Sequence, residues 1–213
     1  MSGAEAAMRR VFTARERHVL DEAQVTALAE LAARVRELND AVVHTDVDPA
    51  EVAAVSAEVA ALTARLSAAR RAEPPIARLG ADGMVRQLAS PVSGPLNPIA
   101  PPVEMEVGPG GEVRAGFTLG GVYEGPPSFV HGGVSAMVLD QLLGAAAAAN
   151  GTPGMTATLE LRYRRPTPYG VPLTAVAKVT RVEGRKTFAE AAIAGPDGRT
   201  TVEATAMFIM PLR

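Results

Sequence analysis

The spacing of apolar residues changes once along the chain, and the change separates two segments with different predicted structures. In residues 1–73, apolar side chains recur every three or four positions, which is the period of a helix with one buried face. One such stripe comprises Val25, Leu28, Leu31, Val35, Leu38 and Val42, and another comprises Val52, Val55, Val59, Leu62 and Leu66. The pattern predicts a helical hairpin, or two helices that pack on a partner.

Residues that begin and end helices support this prediction. Asp48 is the expected N-cap of the second helix, with Pro49 in the first helical position and Glu51 completing a capping box. Glu73-Pro74-Pro75 predicts the end of that helix, because proline disfavours helical geometry in the residue before it. Residues 74–102 are rich in proline, glycine and serine, and we interpret them as an irregular connector between the two segments.

From residue 103 to residue 213, the apolar residues mostly alternate with polar ones, as in half-buried strands. A hairpin is predicted from 103–107 and 112–118, followed by an apolar helix at 131–149. Further strands are predicted at 157–163, 173–182, 187–194 and 201–210, with a turn at 195–198. The predicted fold class is therefore α+β, an antiparallel sheet wrapped around one helix with a helical extension before it.

Composition and charge exclude several classes of function. The formal net charge of −2 favours neither a nucleic-acid partner nor a basic membrane anchor. The chain has no cysteine, and its three histidines (His18, His44 and His131) are too scattered to predict a metal site. The N-terminus lacks the pattern of a signal peptide, and the polar residues within 132–149 argue against a membrane span. We therefore expect a cytoplasmic protein without a membrane partner.

The apolar helix contains one acidic residue, Asp140. An unpaired carboxylate among apolar side chains costs on the order of several kcal/mol, so a protein keeps one when it is hydrogen-bonded or when it functions. Asp140 lies nine residues after His131, too far into the helix to cap it. The position favours a functional carboxylate.

His131-Gly132-Gly133 directly precedes this helix. Glycines at a helix N-terminus let a ligand approach the free N–H groups, where the helix dipole is positive, and such donors can bind an oxyanion. The same glycines are equally consistent with a tight turn into the helix, and His131 with a loop residue fixed by a hydrogen bond.

Three stretches of this segment resemble a known family. FVHGGVSAMVLDQLLG at 129–144, MTATLELRYRRPTP at 155–168 and VEGRKTFAEAAI at 182–193 closely resemble hot-dog-fold acyl-CoA thioesterases of the His-Gly-Gly group. This group includes the phenylacetate-pathway thioesterase and mammalian thioesterase superfamily members. The steps of nine residues from His131 to Asp140, and of sixteen residues to Thr156, fit the family pattern. The resemblance covers about residues 103–210 and leaves the N-terminal helices outside it.

The resemblance implies a role for each matching residue. Asp140 is the expected catalytic carboxylate, as general base on water or as nucleophile on the thioester, and Thr156 orients the attacking water. Gly132 is expected to donate its N–H to the thioester oxygen, with His131 shaping the loop. In the family this loop faces the Asp and Ser or Thr of a second subunit, so a homodimer is expected, and many relatives form tetramers. No cofactor is implied, because coenzyme A is part of the substrate.

Substrate binding is predicted from the same loop and from basic residues further along the chain. Clustered arginine and lysine suit the phosphates of coenzyme A, although a solvated sheet face is the alternative interpretation. The predicted binding residues are Gly133, Arg164, Arg165, Arg185 and Lys186. One position departs from the family pattern: relatives carry Asn or Gln six or seven residues before the histidine, where this chain has Gly125 and Glu124.

Two other functions compete with thioester hydrolysis. Hot-dog folds also host acyl-CoA hydratases and dehydratases, which pair a histidine with an acidic residue for proton transfer at carbon. His131 lies instead in the Gly-Gly turn, which favours a thioesterase. The other alternative is a non-catalytic acyl-CoA-binding protein whose N-terminal helices contact a partner.

Overall fold

The computed structural model describes residues 18–79 and 84–210. Within these ranges the helices are α1 (Glu22–His44), α2 (Pro49–Ser67) and α3 (Gly132–Ala149). The strands are β1 (Ile76–Leu79), β2 (Met84–Gln87), β3 (Glu104–Val107), β4 (Val113–Thr118), β5 (Met155–Tyr163), β6 (Pro172–Glu183), β7 (Lys186–Ala194) and β8 (Thr200–Ile209).

One antiparallel sheet contains six of the described strands, in the order β3-β4-β6-β7-β8-β5. The helix α3 contacts all six of them. After α3 the chain crosses to the far edge of the sheet, where β5 pairs with β8 rather than with β6, its neighbour in sequence. A sheet arranged around one central helix is the hot-dog fold, and the predicted α+β class is confirmed.

Alternation of apolar and polar residues explains how the sheet forms its core. In β4, Val113, Ala115 and Phe117 are buried while the residues between them are exposed. Their buried side chains face α3, which buries Ser135, Val138, Leu139, Leu142, Leu143, Ala146 and Ala147. These seven residues lie on one face of the helix, and the opposite face is only partly covered.

The burial of α3 is less complete than the predicted sheet wrapped around one helix implies. Its residues are apolar on nearly all sides. Despite its polar residues, the helix is long and apolar enough to cross a membrane, although buried core helices pass the same test. Burial by the sheet on one side leaves Asp140 half-buried rather than enclosed. The apolar composition of the other face is therefore not explained by this chain's own core.

The connector at 74–102 is not wholly irregular, contrary to the prediction. Strands β1 and β2 pair antiparallel within it, and Ile76 also bonds to the chain before α1, with Leu20 N–H donating to the Ile76 carbonyl at 2.9 Å. Each strand has four residues, too few for a clear alternating pattern amid so much proline and glycine. The sequence signal was therefore too weak to detect this pair of strands.

The start of α2 agrees with the prediction in part. Asp48 Oδ1 accepts hydrogen bonds from the N–H groups of Ala50 and Glu51 at 2.8 and 3.0 Å, with Pro49 in the first position. The predicted reciprocal bond from the Glu51 side chain is not formed among the described residues. A complete capping box is formed instead at α1, by Asp21 and Gln24.

The end and the packing of α2 differ from the prediction. The helix ends at Ser67, well before Glu73, although residues 68–72 are mostly good helix formers. Among the described residues α2 has no buried side chain, and Leu62 and Leu66 are 51% and 58% exposed. The two helices therefore do not form a packed hairpin within one chain. Packing of the apolar stripe on a partner stays a prediction.

In contrast, α1 is fixed to the rest of the fold. Arg36 donates from Nε to the Ala100 carbonyl at 3.1 Å and from Nη2 to the Asn97 carbonyl at 3.3 Å. The imidazole of His44 fills the space beside Gly121, where an added Cβ would lie 2.5 Å from Nε2. Because α1 packs on the turn Gly121–Tyr123, it supports the start of the loop that leads to α3.

Loss of the Arg36 side chain tests this attachment. We expect Arg36→Ala to lower the free energy of unfolding by about 1–3 kcal/mol, because two carbonyl groups lose a charged donor. Arg34→Ala is the matched control, since Arg34 lies on the same helix, is exposed and forms an ion pair with Glu37. Urea denaturation measures both variants, and equal effects would contradict the assigned role of Arg36.

Candidate active site

The loop before α3 is organised around His131, the N-cap of the helix. The imidazole Nδ1 of His131 accepts a hydrogen bond from the Gly133 N–H at 3.0 Å, and the backbone N–H of His131 donates to the Tyr123 carbonyl at 2.9 Å. A ring nitrogen that accepts carries no proton, so the imidazole proton lies on Nε2. This arrangement fits the loop-shaping role predicted for His131.

Gly132 supplies the one unpaired donor in this turn of the described structure. The N–H groups of Val134 and Ser135 donate to the His131 carbonyl at 2.9 and 3.3 Å, and that of Gly133 is taken by the imidazole. The Gly132 N–H has no acceptor among the described residues, and it lies where the helix dipole is positive. It can therefore bind an oxyanion. The N–H of Gly133, which is predicted to contact substrate, already donates to the His131 imidazole.

The two positions that depart from the family pattern stabilise the loop. An added Cβ at Gly125 would lie 2.7 Å from the His131 Cα, so only glycine fits there. Glu124 Oε1 accepts a hydrogen bond from the Ser128 N–H at 2.7 Å, and Ser128 has a positive φ of 69°. The carboxylate thus fixes an unfavourable backbone conformation directly before α3.

Asp140 and Thr156 are brought together by α3 and β5. Thr156 Oγ1 donates to Asp140 Oδ1 at 2.9 Å, and both side chains lie on the uncovered side of the helix. A β-bulge follows Thr156, because Thr156 pairs with Phe208 while Thr158 pairs with Met207. Bulges redirect side chains locally, which accounts for the hydroxyl pointing toward α3.

The opposite end of β5 contacts the Gly132 loop. Tyr163 Oη donates to the Gly132 carbonyl at 2.9 Å, so one strand carries contacts to both candidate groups. Within one chain these groups are far apart, since the eight residues from Gly132 to Asp140 correspond to about 12 Å along the helix axis. A single copy therefore does not bring the free amide and the carboxylate to the same point.

The predicted basic residues fall into two groups. Arg185 and Lys186 lie at the Thr156 end of the sheet, because Lys186 and Met155 both pair with Ile209. Arg185 donates from Nε and Nη2 to the Met210 carbonyl at 2.9 and 2.6 Å, which orients the guanidinium without neutralising its charge.

The other two arginines lie at the Tyr163 end of β5. Arg164 forms an ion pair with Glu203 at 2.8 Å, and Arg165 Nη1 donates to the Thr200 carbonyl at 2.9 Å. The structure therefore does not place all four predicted side chains at one site within a single chain.

Two features near the site were missed from the sequence. A cavity of about 510 Å³ lies on the β3 side of α3, lined by Gln87, Ser93, Val103, Glu104, Met105 and Gln141. Gln141, the cavity residue on α3, directly follows Asp140, but nothing in its type or spacing indicated a lining role.

The second feature is Tyr123. Burial raises the pKa of Tyr123, an effect that the charge of Arg36 opposes, and its protonated hydroxyl donates to the Ile99 carbonyl at 3.4 Å.

Comparison with known proteins agrees with this fold. The family model described as Thioesterase superfamily matches residues 128–202, which include the His-Gly-Gly turn, Asp140 and Thr156. A crystal structure of a thioesterase superfamily protein superimposes with a TM-score of 0.76 and 37% sequence identity, covering 85% of this chain and 94% of that one. This chain belongs to the thioesterase superfamily.

Curated relatives of this thioesterase superfamily member match over a shorter stretch. Acyl-coenzyme A thioesterase THEM4 of Xenopus laevis is 40% identical over 94 residues, which are 44% of this chain and 42% of that protein. The Mus musculus THEM4 is 38% identical over 92 residues, 42% of this chain and 40% of that protein. The chain thus spans less than half the length of these relatives.

The close packing of Gly125 can be tested on this thioesterase superfamily member. We expect Gly125→Ala to lower the free energy of unfolding by about 1–3 kcal/mol, because the new methyl group overlaps the His131 backbone. In Gly116→Ala, the control, the new Cβ has nothing within 4 Å and stability should not fall. Thermal and urea denaturation compare the two, and a stable Gly125→Ala would show that the loop is not so tightly packed.

Proposed function

We propose that this protein hydrolyses acyl-CoA thioesters to the free acid and coenzyme A. The observation that carries the proposal is the 2.9 Å hydrogen bond between Thr156 and Asp140 on the uncovered face of α3. It places a carboxylate and a hydroxyl where a water molecule can reach both. Support for the substrate class comes from the THEM4 relatives, which are named acyl-coenzyme A thioesterases.

Asp140 and Thr156 would activate the attacking water together. Thr156 donates to Oδ1 of Asp140, which leaves Oδ2 free to accept a hydrogen bond from one O–H of a water molecule. The Thr156 oxygen can accept a hydrogen bond from the second O–H of the same water. As the water oxygen bonds to the thioester carbon, Asp140 takes the proton and later returns it to the departing sulfur. The same carboxylate could instead attack the carbonyl as a nucleophile, which also requires Asp140 to be ionised.

The negative charge that develops on the thioester oxygen needs a donor, and the Gly132 N–H is suited to this role. It is unpaired among the described residues and lies at the N-terminus of an 18-residue helix. A fixed donor of this kind contributes typically ~10²–10³-fold to turnover. Because it lies about 12 Å along the helix from Asp140 of the same chain, the donor for one site must come from a second copy.

A two-fold pairing of β5 would supply that second copy. In the described structure β5 is an edge strand without a partner on its outer side, and seven of its nine residues are exposed. Thr156 lies near one end of this strand and Tyr163, which contacts Gly132, at the other. Antiparallel pairing of two copies would therefore bring the Gly132 loop of each to Asp140 and Thr156 of the other.

Such a homodimer would also reunite the two groups of basic residues. Arg185 and Lys186 lie at the Thr156 end of the sheet, and Arg164 and Arg165 at the Tyr163 end. Antiparallel pairing of β5 would place both groups around each site, where they would contact the phosphates of coenzyme A. The arrangement supports a thioesterase over a hydro-lyase, because one ring nitrogen of His131 is already used by Gly133.

Removal of the carboxylate is the first test of this function. We expect Asp140→Ala to lower kcat by about 10³-fold in an assay of thiol release from acyl-CoA substrates, with the fold intact. Thr156→Ala should lower kcat less, because water can partly replace the hydroxyl. Glu190→Ala is the control, since Glu190 is an exposed carboxylate on β7 that pairs with Lys178. Near-normal kcat in Asp140→Ala would remove this residue from the mechanism.

Mixing two inactive variants tests the shared site. Gly132→Pro lacks the N–H but suits the first helical position, whereas Gly132→Ala keeps the N–H and adds a similar Cβ. We expect Gly132→Pro to lose far more activity than Gly132→Ala. After Gly132→Pro is mixed with Asp140→Ala under subunit exchange, half of the dimers are mixed and each has one intact site, so about a quarter of the wild-type activity returns. No recovery despite demonstrated exchange would place both groups in one subunit.

A further inference from the structure

We propose that Tyr163 is a positioning residue that sets the orientation of the Gly132 N–H. The inference rests on the proposed function, because this orientation affects the reaction only if the N–H binds the thioester oxygen. The predicted site residues do not include this tyrosine, although it lies within the stretch 155–168 that resembles the family. Its two contacts with Gly132 carry the argument.

The first contact is a hydrogen bond. Tyr163 Oη donates to the Gly132 carbonyl at 2.9 Å, although the two residues are 31 positions apart in the sequence. This carbonyl belongs to Gly132, the same residue that carries the free N–H, and it forms the peptide bond to Gly133. The bond therefore ties the start of α3 to the end of β5.

The second contact is packing of the aromatic ring. A Cβ added at Gly132 would lie 3.2 Å from Cε1, Cζ and Oη of Tyr163, closer than an ordinary van der Waals contact. The ring thus occupies the side of Gly132 where any other residue would carry its side chain. Tyr163 limits the movement of both the Cα and the carbonyl of this residue.

These contacts complete the restraint of a flexible residue. Glycine has a wide range of accessible φ and ψ angles, so its N–H is not held by its own conformational preferences. On the preceding side, His131 is fixed through the Tyr123 carbonyl and the Gly133 N–H. On the following side, Tyr163 holds the Gly132 carbonyl. An oxyanion donor contributes most when its direction is fixed before the reaction, and this pair of restraints provides that.

The exposure of Tyr163 agrees with a role at the site. Tyr163 is 56% exposed in the single chain and lies on the edge strand β5, so the core does not account for it. The same strand holds Asp140 through Thr156 at its other end. In a dimer paired antiparallel through β5, the Tyr163 end of one copy would lie near the Thr156 end of the other, which would hold the donor close to the water-binding hydroxyl.

Tyr163→Phe removes the hydrogen bond but keeps the ring. We expect kcat to fall about 10-fold, a fraction of the ~10²–10³-fold effect of losing a whole oxyanion donor, with KM unchanged. Tyr163→Leu, which also removes the ring contact, should lower kcat further. Tyr169→Phe is the control, because Tyr169 is a partly buried tyrosine packed on the core. Sedimentation should show the same oligomeric state for all of these variants.

An NMR measurement tests the positioning without relying on activity. In protein labelled with ¹⁵N-glycine, Tyr163→Phe should shift the amide signals of Gly132 and Gly133, because their shared peptide loses a hydrogen bond. Signals of distant glycines such as Gly116 and Gly198 should not move. Tyr169→Phe should leave the Gly132 and Gly133 signals in place.

The outcomes separate this inference from the proposed function. If the wild type hydrolyses acyl-CoA and Tyr163→Phe retains full kcat, the positioning role is wrong. If a rise in KM accounts for the whole loss of activity, Tyr163 serves substrate binding and the positioning role is wrong. If a change in oligomeric state accounts for it, Tyr163 serves assembly, which would also overturn the inference. If the wild type hydrolyses no acyl-CoA, the proposed function fails, and unchanged glycine signals would additionally refute the Tyr163–Gly132 contact.

Discussion

The position of the reactive groups depends on the fixed rise of a single helix. Gly132 begins α3 and Asp140 lies more than two turns later, so the helix holds an amide donor and a carboxylate about 12 Å apart. No side-chain movement brings them together within one chain. The sheet buries one face of α3 and keeps the helix rigid. The face that carries Asp140 is left only partly covered. Both the shared site and the homodimer proposed here follow from that constraint.

The strands and the central helix were predictable because burial on one face leaves a local pattern. Val113, Ala115 and Phe117 alternate with exposed residues, and the turn after β7 contains Gly195-Pro196-Asp197-Gly198. The order of strands was not predictable locally, because β5 pairs with a strand more than forty residues later. The apolar stripe of α2 was predicted correctly as part of a helix, but its exposure was not. Helical periodicity predicts an apolar face without indicating what covers it.

At the site, Asp140 stood out because a lone carboxylate in an apolar helix is costly, and Thr156 entered only through the family resemblance. Their 2.9 Å contact depends on the crossing to the sheet edge and on the bulge after Thr156, neither of which has a sequence signal. Tyr163 was missed for a related reason. Its partner is a backbone carbonyl, and no residue type marks a carbonyl that needs a donor.

The loop before α3 is supported by α1, and α1 is attached to the fold by few contacts. This helix has a single buried residue, Ala32, and is fixed mainly by Arg36 and by the contact of His44 with Gly121. Regions with few buried contacts open at a lower free energy than the sheet does. When α1 detaches, the turn at Gly121–Tyr123 loses its outer support, and the His131 N–H bonded to this turn is loosened with it. We therefore expect heating to loosen the Gly132 loop by local melting of α1 while the sheet and its core remain folded.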